Sequence, residues 1–283
     1  MDRFFVITNE NRDPGGEKAA GITSYLRSKG RSCDHVSIER DSEPDSAPMR
    51  KIRNIAPDTE AVIVLGGDGT FIQCAQILAE KKIPMIGVNM GHLGYLAEVD
   101  KDEITPALER LMSDDLTITD RMILSGTPVI NNKNSGDFYA INDIVVKTQA
   151  SNVGTFCIEV NGTYLTTISG DGIIVATPTG STAYNMSAGG PIVEPGSAMI
   201  VITPICPLEV VSRSVVLSAA DTVVIRMVRP SGRPARTAGV YFDGGMDFTL
   251  STGDEVVIKK AEACVKLIKL NKESFLEVLS RKM

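Results

Sequence analysis

The chain has 283 residues, 43% of them hydrophobic and 23% charged, and a formal net charge of −6. This length supports two modest domains or one large one around a sizeable core. The acidic balance excludes a global basic field that would draw in nucleic acid or an anionic membrane.

Five scattered cysteines (Cys33, Cys74, Cys157, Cys206, Cys264) without a CxxC pair, beside only His35 and His92, argue against a zinc centre and for reduced thiols. The opening MDRFFVITNENRD turns polar before a secretory leader forms, and no apolar run reaches membrane-span length, so a cytoplasmic protein is expected. FFVIT (4–8) predicts a strand and EKAAGITSYLRSKG (17–30) a helix closed by Gly30. ERDSEPDSAPM (39–49), acidic and proline-containing, reads as an exposed, mobile loop. AVIVL (61–65) is a buried strand, TFIQCAQILAEKK (70–82) a helix, PMIGVN (84–89) a strand and KDEITPALERLMSDD (101–115) a helix. Such βαβ alternation predicts a parallel, Rossmann-like sheet covered by helices.

From about residue 117 short strand-like runs follow one another, separated by Gly, Asn, Pro or Ser. They predict an all-β, sandwich-like domain, with a hairpin turn at Asn161-Gly162. The expected layout is an α/β domain over 1–118 and a β-rich domain over 119–270; a helical segment at 271–283 can pack back onto the first.

Two stretches carry chemistry. A strand that runs into Gly66-Gly67-Asp68-Gly69-Thr70 and then a helix can offer backbone N–H groups to phosphate oxygens, with glycine leaving room for the approach. Asp68 repels phosphate unless a cation intervenes, so its natural partner is a hydroxyl that it orients and deprotonates during attack on phosphorus. The plainer alternative is a carboxylate that only caps the helix. No Walker A loop or GxGxxG pattern is present. In the second stretch, GDGIIVATPTGSTAYNMSAGGPIVEPG (170–196), small and hydroxylated residues surround Tyr184, a platform on which a flat ring can stack. A tight strand–helix crossing is the structural alternative.

GGDGT at 66–70, Asn142-Asp143 within FYAINDIVV, and DGIIVATPTGSTAYNMSAGGPIV at 171–193 resemble, in order and spacing, the three signature blocks of the NAD kinases. The resemblance runs from the first strand to YFDGG near residue 243. GGDG alone is shared with phosphofructokinases and lipid kinases, whereas the TPTGSTAYNMSAGGP block is specific. The resemblance implies transfer of the γ-phosphate of ATP to the 2′-hydroxyl of the adenosine ribose of NAD, with Mg²⁺ or another divalent cation accompanying ATP. It implies Asp68 as the base with Gly69 beside it, and Gly66, Gly67, Gly69 and Thr70 at the phosphates. Asn142 and Asp143 would hold the adenosine portion of NAD. Asp171, Thr182, Ala183, Tyr184, Asn185, Met186 and Ser187 would line the dinucleotide pocket, and Asp243 would stand in the late acidic motif. Family members are usually dimers or tetramers. Gly245, Gln73 and Ser169 depart from the family pattern, which often has an amide at the first and basic residues at the other two, so Mg²⁺ gains weight in shielding the triphosphate. Polyphosphate as donor, a different acceptor and a non-catalytic dinucleotide sensor stay open as alternatives.

The remaining candidates have plainer expectations. His92, alone in a glycine-bracketed loop, reads as structural. Met186 and Met199 read as core filler. Arg226, Arg229, Arg233 and Arg236 read as a solvated basic loop, and Cys74 as packing.

Overall fold

The computed structural model describes residues 1–39, 46–91, 94–148, 152–209, 212–229, 232, 236–271 and 274–282. Along the chain come β1 (Arg3–Asn9), α1 (Glu17–Ser28), β2 (Ser32–Ile38), α2 (Ala47–Arg53), β3 (Ala61–Gly66), α3 (Asp68–Leu78), β4 (Met85–Asn89), β5 (Ala97–Asp100) and α4 (Ile104–Met112). Next are β6 (Thr117–Ile130), β7 (Lys133–Asn134), β8 (Phe138–Ala140), β9 (Asp143–Thr148), β10 (Gly154–Val160), β11 (Thr163–Gly170), β12 (Gly172–Ala176) and α5 (Tyr184–Ser187). The remainder is β13 (Met199–Ile205), β14 (Val215–Ser218), β15 (Val223–Met227), β16 (Ala238–Phe242), β17 (Gly245–Leu250), β18 (Glu255–Lys269) and α6 (Phe275–Lys282).

Contacts divide the chain into Met1–Asp120 with Cys264–Met283, and Arg121–Ala263. The change of composition places boundaries at 118/119 and 270/271, whereas these breaks fall inside the long strands β6 and β18. Composition does not register a chain that changes unit without leaving its strand.

In the first unit β2, β1, β3 and β4 lie side by side, all parallel. β3 is buried along its whole length, as expected of a parallel strand covered on both faces. On one face Phe4, Val6, Ile63 and Leu65 pack against Ile22 and Leu26 of α1 and Leu108 and Leu111 of α4. Sheet growth reverses at β1, which has β2 on one side and β3 on the other. In open α/β sheets ligands bind beyond the carboxyl ends of strands at such a reversal, and the glycine turn follows β3 there.

The loop expected at 39–49 is corrected in part. Residues 40–45 lie outside the described residues, and α2 begins at Ala47, with Pro48 in its first turn and Met49 and Ile52 buried. Proline at a helix start was the signal to read there, since its fixed φ suits the first turn and its missing N–H is not needed.

The second unit is a two-sheet sandwich. One sheet orders β14, β13, β12, β9, β16 and β17, antiparallel throughout; the other pairs β11, β10, β15 and the first part of β18. Ile144, Val146, Ile173 and Val175 meet Phe156, Ile158, Val223 and Ile225 in the shared core. The alternate residues Val145, Ile174, Ala176 and Val201 form a smaller cluster with Val193 on the opposite face of the first sheet. Burial on both faces is why β12 and β13 read as near-continuous apolar runs. The β10–β11 hairpin turns at Asn161 and Gly162, with φ of 52° and 74°, the pair of left-handed residues a two-residue hairpin loop requires.

Candidate active site

The glycine turn is built by close packing at one end and openness at the other. A Cβ on Gly66 would lie 2.7 Å from the Thr70 hydroxyl oxygen, while Gly67 and Gly69 face open space. Thr70 is buried and its Oγ1 accepts a 3.0 Å hydrogen bond from Asn9 at the end of β1. The first N–H groups of a helix have no intrahelical partner; in α3 the intrahelical bonds begin with the Phe71 N–H donating to the Gly67 carbonyl at 3.1 Å, after the glycine turn.

Asp68 is the first residue of α3, yet its carboxylate does not cap the helix. It accepts the Tyr95 and Leu96 N–H groups at 2.7 and 3.1 Å, which fixes the orientation of the carboxylate without using α3. A Cβ on Gly94 would lie 1.9 Å from Asp68 Oδ1, so only glycine lets the chain pass there. His92 lies outside the described residues. Cys74 is fully buried on α3, and burial pushes its thiol up to about 12, a packing residue as expected.

In the second unit three turns meet around a pocket of about 350 Å³. Five residues singled out in the sequence line it: Asn142, Asp143, Ala183, Tyr184 and Asp243. Gly180 permits the first contact between turns, because a Cβ there would sit 2.0 Å from the Asn142 carbonyl oxygen. The Thr177 N–H donates to that same carbonyl at 2.8 Å. Asp243 ties in the third turn: its carboxylate accepts the N–H groups of Ile141, Asn142 and Asp143 at 2.8, 2.7 and 3.1 Å. Asp243 and Gly244, with φ of 49° and 90°, form a tight turn between Phe242 and Gly245. The D-G pair flanked by apolar residues was the sequence signal for that hairpin.

Asp143 is 4% exposed. Burial first, and the Asp243 carboxylate second, push its carboxyl up to about 7, against about 3.9 in an unfolded chain. The folded state therefore holds this proton the more tightly. The associated stability is fully present below about pH 4 and is lost as pH rises through about 7. Urea unfolding of the wild type and Asp143→Asn between those limits should show the wild type losing roughly 2–4 kcal/mol relative to the variant. Parallel curves would contradict the assignment.

The other expected pocket residues are dispersed. Thr182, Met186 and Ser187 lie on the turn and short helix next to Tyr184 but are not among the pocket lining. Asn185 is fully buried, its amide donating to the Ser181 and Pro191 carbonyls at 3.1 and 3.0 Å and accepting from Thr203 at 2.7 Å. It braces the turn from inside and has no free face for a ligand. Asp171 is exposed; its charge, after burial and Cys206, contributes to raising the Tyr184 hydroxyl.

Two expectations fail. Met186 and Met199 are 42% and 41% exposed rather than core filler. Their neighbours Asn185 and Ile200 take the inward positions. Arg226 is not in a solvated loop: it sits on β15 between Glu159 and Glu255, at 2.8 and 2.7 Å. Arg233 lies outside the described residues.

Sequence reasoning missed Val145, Lys147, Tyr241 and Gly244, which also line the pocket. Strand period was the available signal. Asp143, Val145 and Lys147 alternate on β9 with Ile144 and Val146 of the core, as Tyr241 does on β16 with Val240 and Phe242.

Comparison with known proteins agrees with both units. Residues 20–116 match the ATP-NAD kinase N-terminal domain and residues 141–270 the ATP-NAD kinase C-terminal domain. The NAD kinase of Lachnospira eligens is 39% identical, covering 100% of each chain, and that of Agathobacter rectalis 37%, covering 100% of this chain and 99% of the relative. Among solved structures, yeast NADH kinase complexed with NADH superposes with a TM-score of 0.84 at 23% identity, over 99% of this chain and 86% of that one. An NAD kinase from Archaeoglobus fulgidus in complex with ATP gives 0.76 at 22% identity, over 98% of each. At those identities the superpositions speak for the α/β plus β-sandwich fold.

Proposed function

The chain belongs to the ATP-NAD kinase family and is an NAD kinase, a phosphotransferase, and from that premise we propose which of its residues carry the transfer. The reaction moves the γ-phosphate of ATP to the 2′-hydroxyl of the adenosine ribose of NAD, giving NADP. Asp68 is the base. Its carboxylate, held by the Tyr95 and Leu96 amides, orients the hydroxyl and accepts its proton as the oxygen attacks phosphorus. That held carboxylate is the observation that carries the reading, because a capping aspartate would turn its oxygens to its own helix.

The backbone of Gly66, Gly67, Gly69 and Thr70 meets the phosphates of ATP, with Gly67 and Gly69 open to approach. Asn142 and Asp143 hold the adenosine ribose, and Tyr184 with Ala183 receives the flat base. Asp171, Thr182, Met186 and Ser187 contact the rest of the dinucleotide, while Asn185 positions their turn. The divalent cation, Mg²⁺, enters with ATP as part of the substrate and shields the triphosphate. We place the enzyme in the cytoplasm as a homodimer or homotetramer. The scattered free cysteines suit the first, and family resemblance suggests the second. Among the described residues no helix is long and apolar enough to cross a membrane.

The test is a coupled assay in which purified protein, NAD, ATP and Mg²⁺ feed an NADP-specific dehydrogenase. NADP formation is expected. Product only with inorganic polyphosphate would change the donor. NAD binding without product from either donor would replace the kinase by a dinucleotide sensor.

A further inference from the structure

The pocket of the second unit holds one cation that the reading above does not use. Lys147 lines it on the same face of β9 as Asp143 and Val145. Its ammonium lies 5.9 Å from the ring centre of Tyr184 and 5.5 Å from that of Tyr241. Two aromatic faces attract a cation and limit where it can go, so the charge is kept at the pocket wall. Among the described residues Lys147 forms no ion pair with a carboxylate. Asp143 and Asp243, the acidic groups of the same pocket, lie close enough to raise Asp143 through mutual repulsion. Lys147 therefore adds one positive charge, held beside two tyrosine rings, to a small cavity whose other charged lining groups are the carboxylates of Asp143 and Asp243.

A dinucleotide has matching chemistry. Its ribose offers hydroxyls that carboxylates accept, its base offers a flat ring, and its 5′-diphosphate carries the negative charge. Placed with the ribose at Asn142 and Asp143 and the base against Tyr184, the molecule leaves its diphosphate as the group that an ammonium would attract. We propose that Lys147 binds the diphosphate of the dinucleotide substrate. This rests on the assignment of the pocket to the adenosine half of NAD, and it adds a substrate-binding residue that the glycine-rich blocks do not contain. With a net charge of −6 on the chain, a local cation is also what gives a twice-charged linker a favourable entry.

The experiment compares NAD with an analogue in which a neutral linker replaces the diphosphate, by calorimetry on the full chain. The proteins are wild type, Lys147→Met, which keeps an unbranched stem, and Lys147→Arg, which keeps the charge. Lys147→Met should weaken NAD binding about tenfold or more and flatten its salt dependence, yet leave the neutral analogue within about twofold. Lys147→Arg should recover most of the loss. Matched melting temperatures exclude simple unfolding. Equal weakening of both ligands, or of neither, overturns the role of Lys147 while leaving the pocket assignment standing. A wild type that binds no NAD overturns the pocket assignment and this inference together.

Discussion

Asp68→Asn should lower turnover by about two to four orders of magnitude while NAD binding largely survives. The substitution is nearly isosteric, so the glycine turn keeps its shape, but an amide cannot accept the proton leaving the attacking hydroxyl. It also has one acceptor oxygen where the carboxylate uses two, for the Tyr95 and Leu96 N–H groups. One of those donors would face an NH₂ group, which costs about 1–3 kcal/mol if no water reaches it. A modest fall in melting temperature is expected beside the large kinetic loss. The two are separable by measuring single-turnover rates at saturating NAD and ATP, well below the melting point. Unchanged turnover would show that Asp68 serves only to hold the loop at residues 94–96.

The second large effect is expected at Asp243. Its carboxylate is the acceptor for three successive backbone N–H groups, those of Ile141, Asn142 and Asp143. Asp243→Ala strands all three and puts alanine at a φ of 49°, a region that costs a residue with a Cβ roughly 1 kcal/mol. Removing the charge has one opposing benefit, since it relieves Asp143. That benefit is the smaller, because burial and not Asp243 is the leading cause of the raised Asp143 carboxyl. A net loss of about 2–4 kcal/mol is expected, roughly 3–7 °C in melting temperature for a chain of this size. NAD binding should fall with it, as the turn carrying Asn142 and Asp143 loosens. Asp243→Asn, which keeps an acceptor and tolerates the left-handed backbone, should recover part of both. A melting curve and NAD affinity unmoved by Asp243→Ala would remove this residue from the architecture of the pocket.

Much of this protein was legible in one dimension because it depends on neighbours in sequence. The Asn161-Gly162 hairpin follows from two residues that tolerate positive φ. The unbroken apolar run of β3 announces a strand covered on both faces, and Gly30, with φ of 79°, closes the turn after α1. The glycine turn, the Asn142-Asp143 pair and the small-residue block declare the family through local spacing, and with it the reaction.

Other features belong to residues far apart in the chain. That Asp68 is held by the amides of Tyr95 and Leu96, and not by its own helix, depends on the loop after β4 returning to the turn after β3. That Asp243 organises residues 141–143 depends on β16 pairing with β9 about a hundred positions away. Lys147 and Tyr241 enter the pocket only once strand register decides which alternate side chains face the core and which the cavity. Local conformational preference and motif spacing act between neighbours, and the sequence determined those alone. Which carboxylate is buried, which amide it serves and what its proton is worth were decided by the tertiary structure, because desolvation and charge act through space and not along the chain.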